Sequence, residues 1–145
     1  MKHFLRNVSW IVAVCGSLLG LGFIAADLAY VLHWPRMAVQ PDGSIYGLSL
    51  CFIAGLVGAS RGRDYNAAVR AVFGTLFLGI AVAMIGGPLA ILAVSSSLTM
   101  DRSLAIRESL AVPFPIMLFL GGIAGGAGGA LATWLKSPLS LRASA

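Results

Sequence analysis

The chain has 145 residues, of which 59% are hydrophobic and only 10% are charged, and its formal net charge is +5. A soluble domain carries about 25% charged residues, and a water-soluble fold of this length could not hide so much apolar surface. The composition therefore predicts an integral membrane protein with a single domain, residues 1–145. The basic residues flank apolar segments, so membrane topology explains the positive charge more simply than nucleic-acid binding does.

Four unbroken apolar segments, at about residues 8–32, 45–60, 69–94 and 112–135, predict four transmembrane helices. Because a helix needs roughly 20 residues to cross the hydrocarbon core, the second segment must borrow flanking serines or sit where the bilayer thins. The runs do not alternate in polarity, which argues against a membrane β-barrel. The predicted fold class is all-α, a polytopic bundle of four transmembrane helices. We expect the tail, residues 136–145, to be loose.

The distribution of lysine and arginine predicts the orientation of these helices. Three basic residues, Arg36, Arg102 and Arg107, fall on one side. The other side carries seven: Lys2, Arg6, Arg61, Arg63, Arg70, Lys136 and Arg142. The positive-inside rule then places both termini in the cytoplasm, as in a multi-pass protein of a bacterial inner membrane. A signal peptide cleaved after Ala26 is the alternative, although the apolar run continues to Leu32, which is long for a signal.

The stretch "LGGIAGGAGGALA", residues 120–132, holds six of the eighteen glycines. At a spacing of four they form two adjacent rows, Gly121–Gly125–Gly129 and Gly122–Gly126–Ala130. Small residues let helix backbones approach closely in lipid, so the rows predict a helix-packing face of the glycine-zipper kind. Gly16 and Gly20 provide a similar face on the first helix. Two alternatives stay open: the glycines close the chain's own bundle, or one face docks a second copy or another membrane subunit.

Asp27 is the one acidic residue within an apolar segment. An ionisable group there is costly and is by default a functional hypothesis. Because Asp27 shares a helix face with Gly16 and Gly20, we expect it to point into the bundle. A protonated Asp27 could bind a cation or relay protons. Alternatively, the carboxylate reaches the membrane interface or pairs with Arg36 or a loop arginine.

Gly86, Gly87 and Pro88 are predicted to interrupt the third helix at a depth similar to that of Asp27. Proline has no backbone N–H, so Pro88 leaves the Met84 carbonyl without its helical donor. Broken helices near ionisable groups mark transporter sites. These three residues and Asp27 therefore form a possible ion or proton site, with an inert proline kink as the alternative.

The remaining polar residues and cysteines indicate contacts with lipid headgroups and structural packing, not a catalytic or metal-binding site. Arg61, Arg63 and Arg70 are predicted to contact lipid headgroups or to act as topology anchors. Cys15 and Cys51 are predicted to be buried structural thiols, not a disulfide or a metal site. No metal-ligand spacing, nucleophile–base pair or phosphate loop occurs. We therefore expect no catalytic residues, no metal, no cofactor and no enzymatic activity.

Two classes of function follow from these features. The first is a structural or accessory subunit that lies in the lipid bilayer. It packs with other membrane subunits or with itself through its glycine-rich faces. The second is a small oligomeric channel or transporter, in which Asp27 and the Gly86–Pro88 break line the path. The sequence names neither a partner nor a substrate.

Overall fold

The computed structural model describes residues 2–32, 45–62, 64–94 and 114–142. These residues form four helices: α1, Lys2–Val31; α2, Ile45–Gly62; α3, Tyr65–Val94; and α4, Phe114–Arg142. Each of the four contains a segment long and apolar enough to cross a membrane. The described part of the chain is therefore all-helical, as the apolar segments predict.

The connection between α2 and α3 is short because Asp64, two residues after the end of α2, caps the first turn of α3. The side-chain oxygen Oδ1 of Asp64 accepts a hydrogen bond from the backbone N–H of Ala67 at 2.6 Å. A carboxylate in this position satisfies a backbone donor that the first turn of a helix leaves unpaired. Asp64 thus starts α3 two residues after Gly62, the last residue of α2.

One local expectation needs correction. Gly86, Gly87 and Pro88 do not interrupt the third helix, since α3 is continuous with Pro88 inside it. A proline removes only one backbone hydrogen bond, and in apolar surroundings the other backbone groups still favour the helix. At the other end of the chain, α4 includes the first part of the tail and continues to Arg142. The ammonium group of Lys136 donates to the carbonyls of Ala59 at 3.1 Å and Ser60 at 2.6 Å, which ties this stretch to α2.

Helices α1 and α3 lie side by side and run parallel. A β-carbon added at a glycine of one helix would meet a side chain of the other at four successive levels. The pairs are Val12 with Gly74, Gly16 with Leu78, Gly20 with Val82, and Ile24 with Gly86. The difference in residue number is 62 in every pair (74−12, 78−16, 82−20, 86−24). This constant register aligns any residue of α1 with its level on α3.

The other pairs of helices complete an up-down-up-down bundle. Helix α4 is antiparallel to α3, because the residue numbers of contacting residues rise along one helix as they fall along the other. In three α3–α4 contacts the two residue numbers add to 197 (72+125, 76+121, 68+129). Helix α2 is parallel to α4, with a difference of 70 (121−51, 125−55). Helix α3 packs against the other three helices, whereas α1 and α4 occupy opposite corners.

The helices overlap only in part. Phe114, the first residue of α4, is level with Ala83 of α3 (197−114 = 83), and Ile45, the first residue of α2, is level with Pro115 (45+70 = 115). Residues 22–31 of α1 and 84–94 of α3 continue beyond this level. We call this pair of segments the α1–α3 extension. At about 1.5 Å per residue, it adds roughly 15 Å to one end of the bundle.

Large apolar side chains cover the outside of the described helices, while glycine and alanine fill much of the inside. The exposed set includes Leu21, Ile45, Phe77, Ile85 and Phe119, each more than half exposed. The fully buried large side chains are few, and Leu19, Leu76, Ile91 and Met117 are among them. Small residues between the helices and large apolar ones outside are the arrangement expected when the surrounding solvent is lipid.

Alanine at Gly55 should destabilise the bundle, because its β-carbon would overlap the backbone carbonyl of Gly125. The backbone of α4 would have to move, and overpacking of this kind costs about 1–3 kcal/mol. Gly122→Ala is the matched control, since an added β-carbon there meets no atom within 4 Å. Thermal unfolding in detergent, followed by circular dichroism, should show a lower melting temperature for Gly55→Ala alone. Equal melting temperatures for the two variants would contradict this packing.

Candidate functional site

The first glycine row of α4 closes the chain's own bundle. Gly121, Gly125 and Gly129 are all buried. A β-carbon added at Gly121 would lie 2.9 Å from the sulfur of Cys51, and one at Gly129 would lie 2.6 Å from the β-carbon of Ala68. One added at Gly125 would overlap Val72. This row, which we call the inner row, is therefore occupied by α2 and α3.

Gly128 belongs to the same buried face, although the spacing of four omits it. A β-carbon added there would overlap the backbone carbonyl of Phe52. The spacing 121, 125, 128, 132 follows the helical period of 3.6 more closely than a strict spacing of four, and Ala132 is also buried. Applying the true helical period to the sequence would have identified Gly128.

The second row, Gly122–Gly126–Ala130, lies outside this contact, and we call it the outer row. A β-carbon added at Gly122 meets nothing within 4 Å, and Ala130 is exposed. At Gly126 the single neighbour is the hydroxyl oxygen of Tyr65, at 3.2 Å. The expectation that both rows share one packing face is wrong for the described helices, which use the inner row and leave the outer row open.

The glycine face of α1 packs on α3. A β-carbon at Gly16 would lie 2.8 Å from the β-carbon of Leu78, and one at Gly20 would lie 2.5 Å from the β-carbon of Val82. The carbonyl oxygen of Gly79 is 3.0 Å from the same position at Gly20. Gly16 and Gly20 are therefore inside the bundle and are not available to a partner chain.

Asp27 points into the molecule, as its position beside Gly16 and Gly20 predicts, and only 1% of its surface is exposed. It makes an interaction of its own and is not an isolated acid. The register between α1 and α3 places Asp27 level with Leu89 (27+62 = 89), one residue from the fully buried Pro88. Asp27 and the segment 86–88 thus share one level of the α1–α3 extension. Arg36, the alternative ion-pair partner, lies outside the described residues.

Thr75 of α3 is a second buried polar residue. Its side chain is fully buried, and within the described part of the chain its hydroxyl oxygen has no hydrogen-bond partner. In the sequence, Thr75 is recognisable as a hydroxyl-bearing residue in the middle of a long apolar segment. Thr75 is level with Ala13 of α1 (75−62 = 13), fourteen residues from Asp27. At about 1.5 Å per residue the two lie roughly 21 Å apart along the bundle, so they do not form one site.

Basic residues gather where α1 and α3 begin and where α2 and α4 end, a region that we call the basic end. Arg61 and Arg70 are exposed there, and the guanidinium carbon of Arg61 lies 4.9 Å from the centre of the Trp10 ring. Arg63 falls outside the described residues. At the opposite end, residues 22–32, 45–50, 84–94 and 114–120 include no lysine or arginine.

The two cysteines are free and buried, and they belong to one hydrophobic cluster, as predicted for structural thiols. Among the described residues, no group of three or more His, Cys, Asp or Glu side chains could hold a metal ion. Comparison of the chain with protein-family models, with curated proteins and with solved structures found no match. The candidate sites are therefore judged on their own geometry.

Valine at Thr75 should stabilise the protein, because it keeps the shape of the side chain and removes a buried hydroxyl that has no partner. Leaving such a group unpaired costs about 1–3 kcal/mol, so the melting temperature of Thr75→Val in detergent should rise. Thr75→Ser is the control, since it keeps the hydroxyl and loses a methyl group, and it should melt below the wild type. A Thr75→Val variant that melts below the wild type would show that the hydroxyl is satisfied.

Proposed function

We propose that this protein is a multi-pass protein of a bacterial inner membrane, with both termini in the cytoplasm, and that it acts as a non-catalytic structural or accessory subunit. Its contact surface is the outer row of α4, which receives a helix of another membrane chain or of a second copy. The observation that carries this proposal is the open space at Gly122, where an added β-carbon meets nothing within 4 Å.

The membrane location is supported by the surface of the helices and by their charge. All four described helices are long and apolar enough to span a membrane. Their outside carries large apolar side chains such as Phe77 and Phe119. The basic end is then the cytoplasmic end, because lysine and arginine accumulate on that side of membrane proteins.

The accessory role is supported by the excess of small residues on α4. The inner row already supplies the close contact that α2 and α3 require. The outer row repeats the same spacing of four on a neighbouring strip of the helix, beside the exposed Phe119 and Ile123. Since small residues spaced by four let a second backbone approach in lipid, the outer row has the form of an interface that the described helices of this chain do not fill.

The interior supports an accessory role over conduction through one copy. Added β-carbons at Gly16, Gly20 and Gly79 would all lie less than 3 Å from side-chain atoms of the facing helix, so α1 and α3 leave little space between them. Asp27 and Thr75 are the buried polar side chains of the described residues, and they are separated along the bundle. A continuous polar path does not run through the described helices of a single chain.

Leucine at Gly122 tests the outer row, because it blocks the proposed interface from a position where an added β-carbon meets no atom of the described residues within 4 Å. Purified from its own membrane in mild detergent, the wild type should come out with a partner polypeptide or as a defined homo-oligomer. Gly122→Leu should come out as a folded monomer. Mass and subunit composition are measured by size-exclusion chromatography with light scattering and by mass spectrometry.

Two control variants make this result specific. Ala127→Leu places the same side chain on an exposed position of α4, about 140° around the helix at 100° per residue, and should keep the partner. Gly125→Leu disrupts the inner row and should reduce folding itself. Gly122→Leu that retains the full assembly, or a wild type that is already a bare monomer, would contradict the proposal.

The burial of Asp27 favours a second candidate, a small oligomeric transporter that uses this carboxyl group for proton or cation coupling. An ionisable group almost fully removed from solvent within an apolar helix is typical of such sites. In proteoliposomes, Asp27→Asn should then abolish proton- or cation-coupled flux while the assembly stays intact. Equal inactivity of wild type and Asp27→Asn would eliminate this candidate.

A further inference from the structure

We propose that the basic end is a binding surface for the phosphate headgroups of anionic phospholipids, and that Arg61, in a cation–π contact with Trp10, is its best-defined contact. This inference rests on the proposed membrane location. It does not depend on a partner at Gly122, although Gly126 of the same outer row lies beside Tyr65 at the edge of the basic end.

The basic end carries more positive than negative residues. The described turns that form it contain one acidic residue, Asp64, whose carboxylate already accepts a hydrogen bond from the backbone N–H of Ala67. Among the side chains that the structure describes, this end carries three basic residues: Arg61, Arg70 and Lys136. Such an excess attracts the anionic lipids of a cytoplasmic leaflet, and the attraction falls off within a Debye length of the surface.

The contact with Trp10 positions the guanidinium group of Arg61. Its carbon lies 4.9 Å from the ring centre, within the range of a cation–π interaction. The N–H groups of a guanidinium form a fork that matches the oxygens of a phosphate. A cation–π contact does not use these N–H groups as hydrogen-bond donors, so the contact with Trp10 restrains Arg61 while the group can still bind an anion.

Lys136 adds a second positive charge at the basic end. Its ammonium group donates to the carbonyls of Ala59 and Ser60. An ammonium has three N–H donors, so one remains after these two bonds. The carbonyls at the end of α2 thus hold a positive charge at this end of the bundle.

Aromatic residues place this cluster at the depth of lipid headgroups. Trp10, Tyr65 and Trp134 are all exposed, by 41%, 48% and 68%. Trp134 follows Gly129, which faces the ring of Tyr65, whereas Trp10 is level with Val72 (10+62 = 72), about 10 Å further into the bundle than Tyr65. Tryptophan and tyrosine with exposed rings are enriched at the membrane–water interface. A phosphate at that depth is within the reach of long basic side chains.

Lipid adducts of the full-length protein, measured by native mass spectrometry, test this proposal. The probes are phosphatidylglycerol and phosphatidylcholine with identical acyl chains. The wild type should retain several-fold more phosphatidylglycerol, and Arg61→Gln should lose most of that preference. Arg107→Gln, which removes the same charge from the connection between α3 and α4, is the matched control and should keep it. Trp10→Leu keeps all charges but removes the cation–π contact, and should weaken the preference as well.

Three outcomes would overturn the inference. Equal retention of the two lipids by the wild type is the first. The second is an equal loss in Arg61→Gln and Arg107→Gln, which would show that net charge alone is sensed. The third is displacement of phosphatidylglycerol by millimolar inorganic phosphate, which would make this a site for a soluble anion. Failure of the protein to insert into liposomes would instead contradict the proposed membrane location.

Discussion

The backbone contact between Gly55 and Gly125 is the constraint on which the rest of the structure depends. Helix α2 has only 18 residues, and in lipid no hydrophobic force drives it toward its neighbours. Its position is fixed by close backbone approach to α4, where even a β-carbon does not fit. The bonds from Lys136 then hold its last turn. Once α2 and α4 are joined, the inner row sets the distance of both helices from α3.

This close packing also divides the glycines by role. The glycines of the inner row and Gly128 are buried in contacts between helices of the same chain. Within the described helices, the glycines of the outer row support no contact apart from the Tyr65 hydroxyl beside Gly126. A helix that needed only its own bundle would not require them. This difference is the physical basis for assigning α4 a partner, and for separating a partner-binding defect from a folding defect.

The three candidate surfaces lie at different places along the bundle. The basic end is where α2 and α4 finish, the outer row is on the side of α4, and Asp27 is in the α1–α3 extension at the opposite end. Changes at Gly122, Arg61 and Asp27 should therefore leave one another's surfaces intact, because energetic effects of distant sites are usually additive. Lipid binding, partner docking and a role of Asp27 can be measured independently in the same protein.

The sequence by itself determined the number of helices, the clustering of basic residues at one end and the inward direction of Asp27. These features follow from hydropathy, charge and the helical period, which act within one segment at a time. Only the tertiary structure decided that α3 continues through Pro88, that α4 stays helical to Arg142, and that Gly128 is buried while Gly122 is open. Each of these depends on which helix lies opposite and on the register between the two helices. A register of 62 or 70 residues cannot be predicted from the period of any single helix, because it depends on contacts between segments that are distant in sequence.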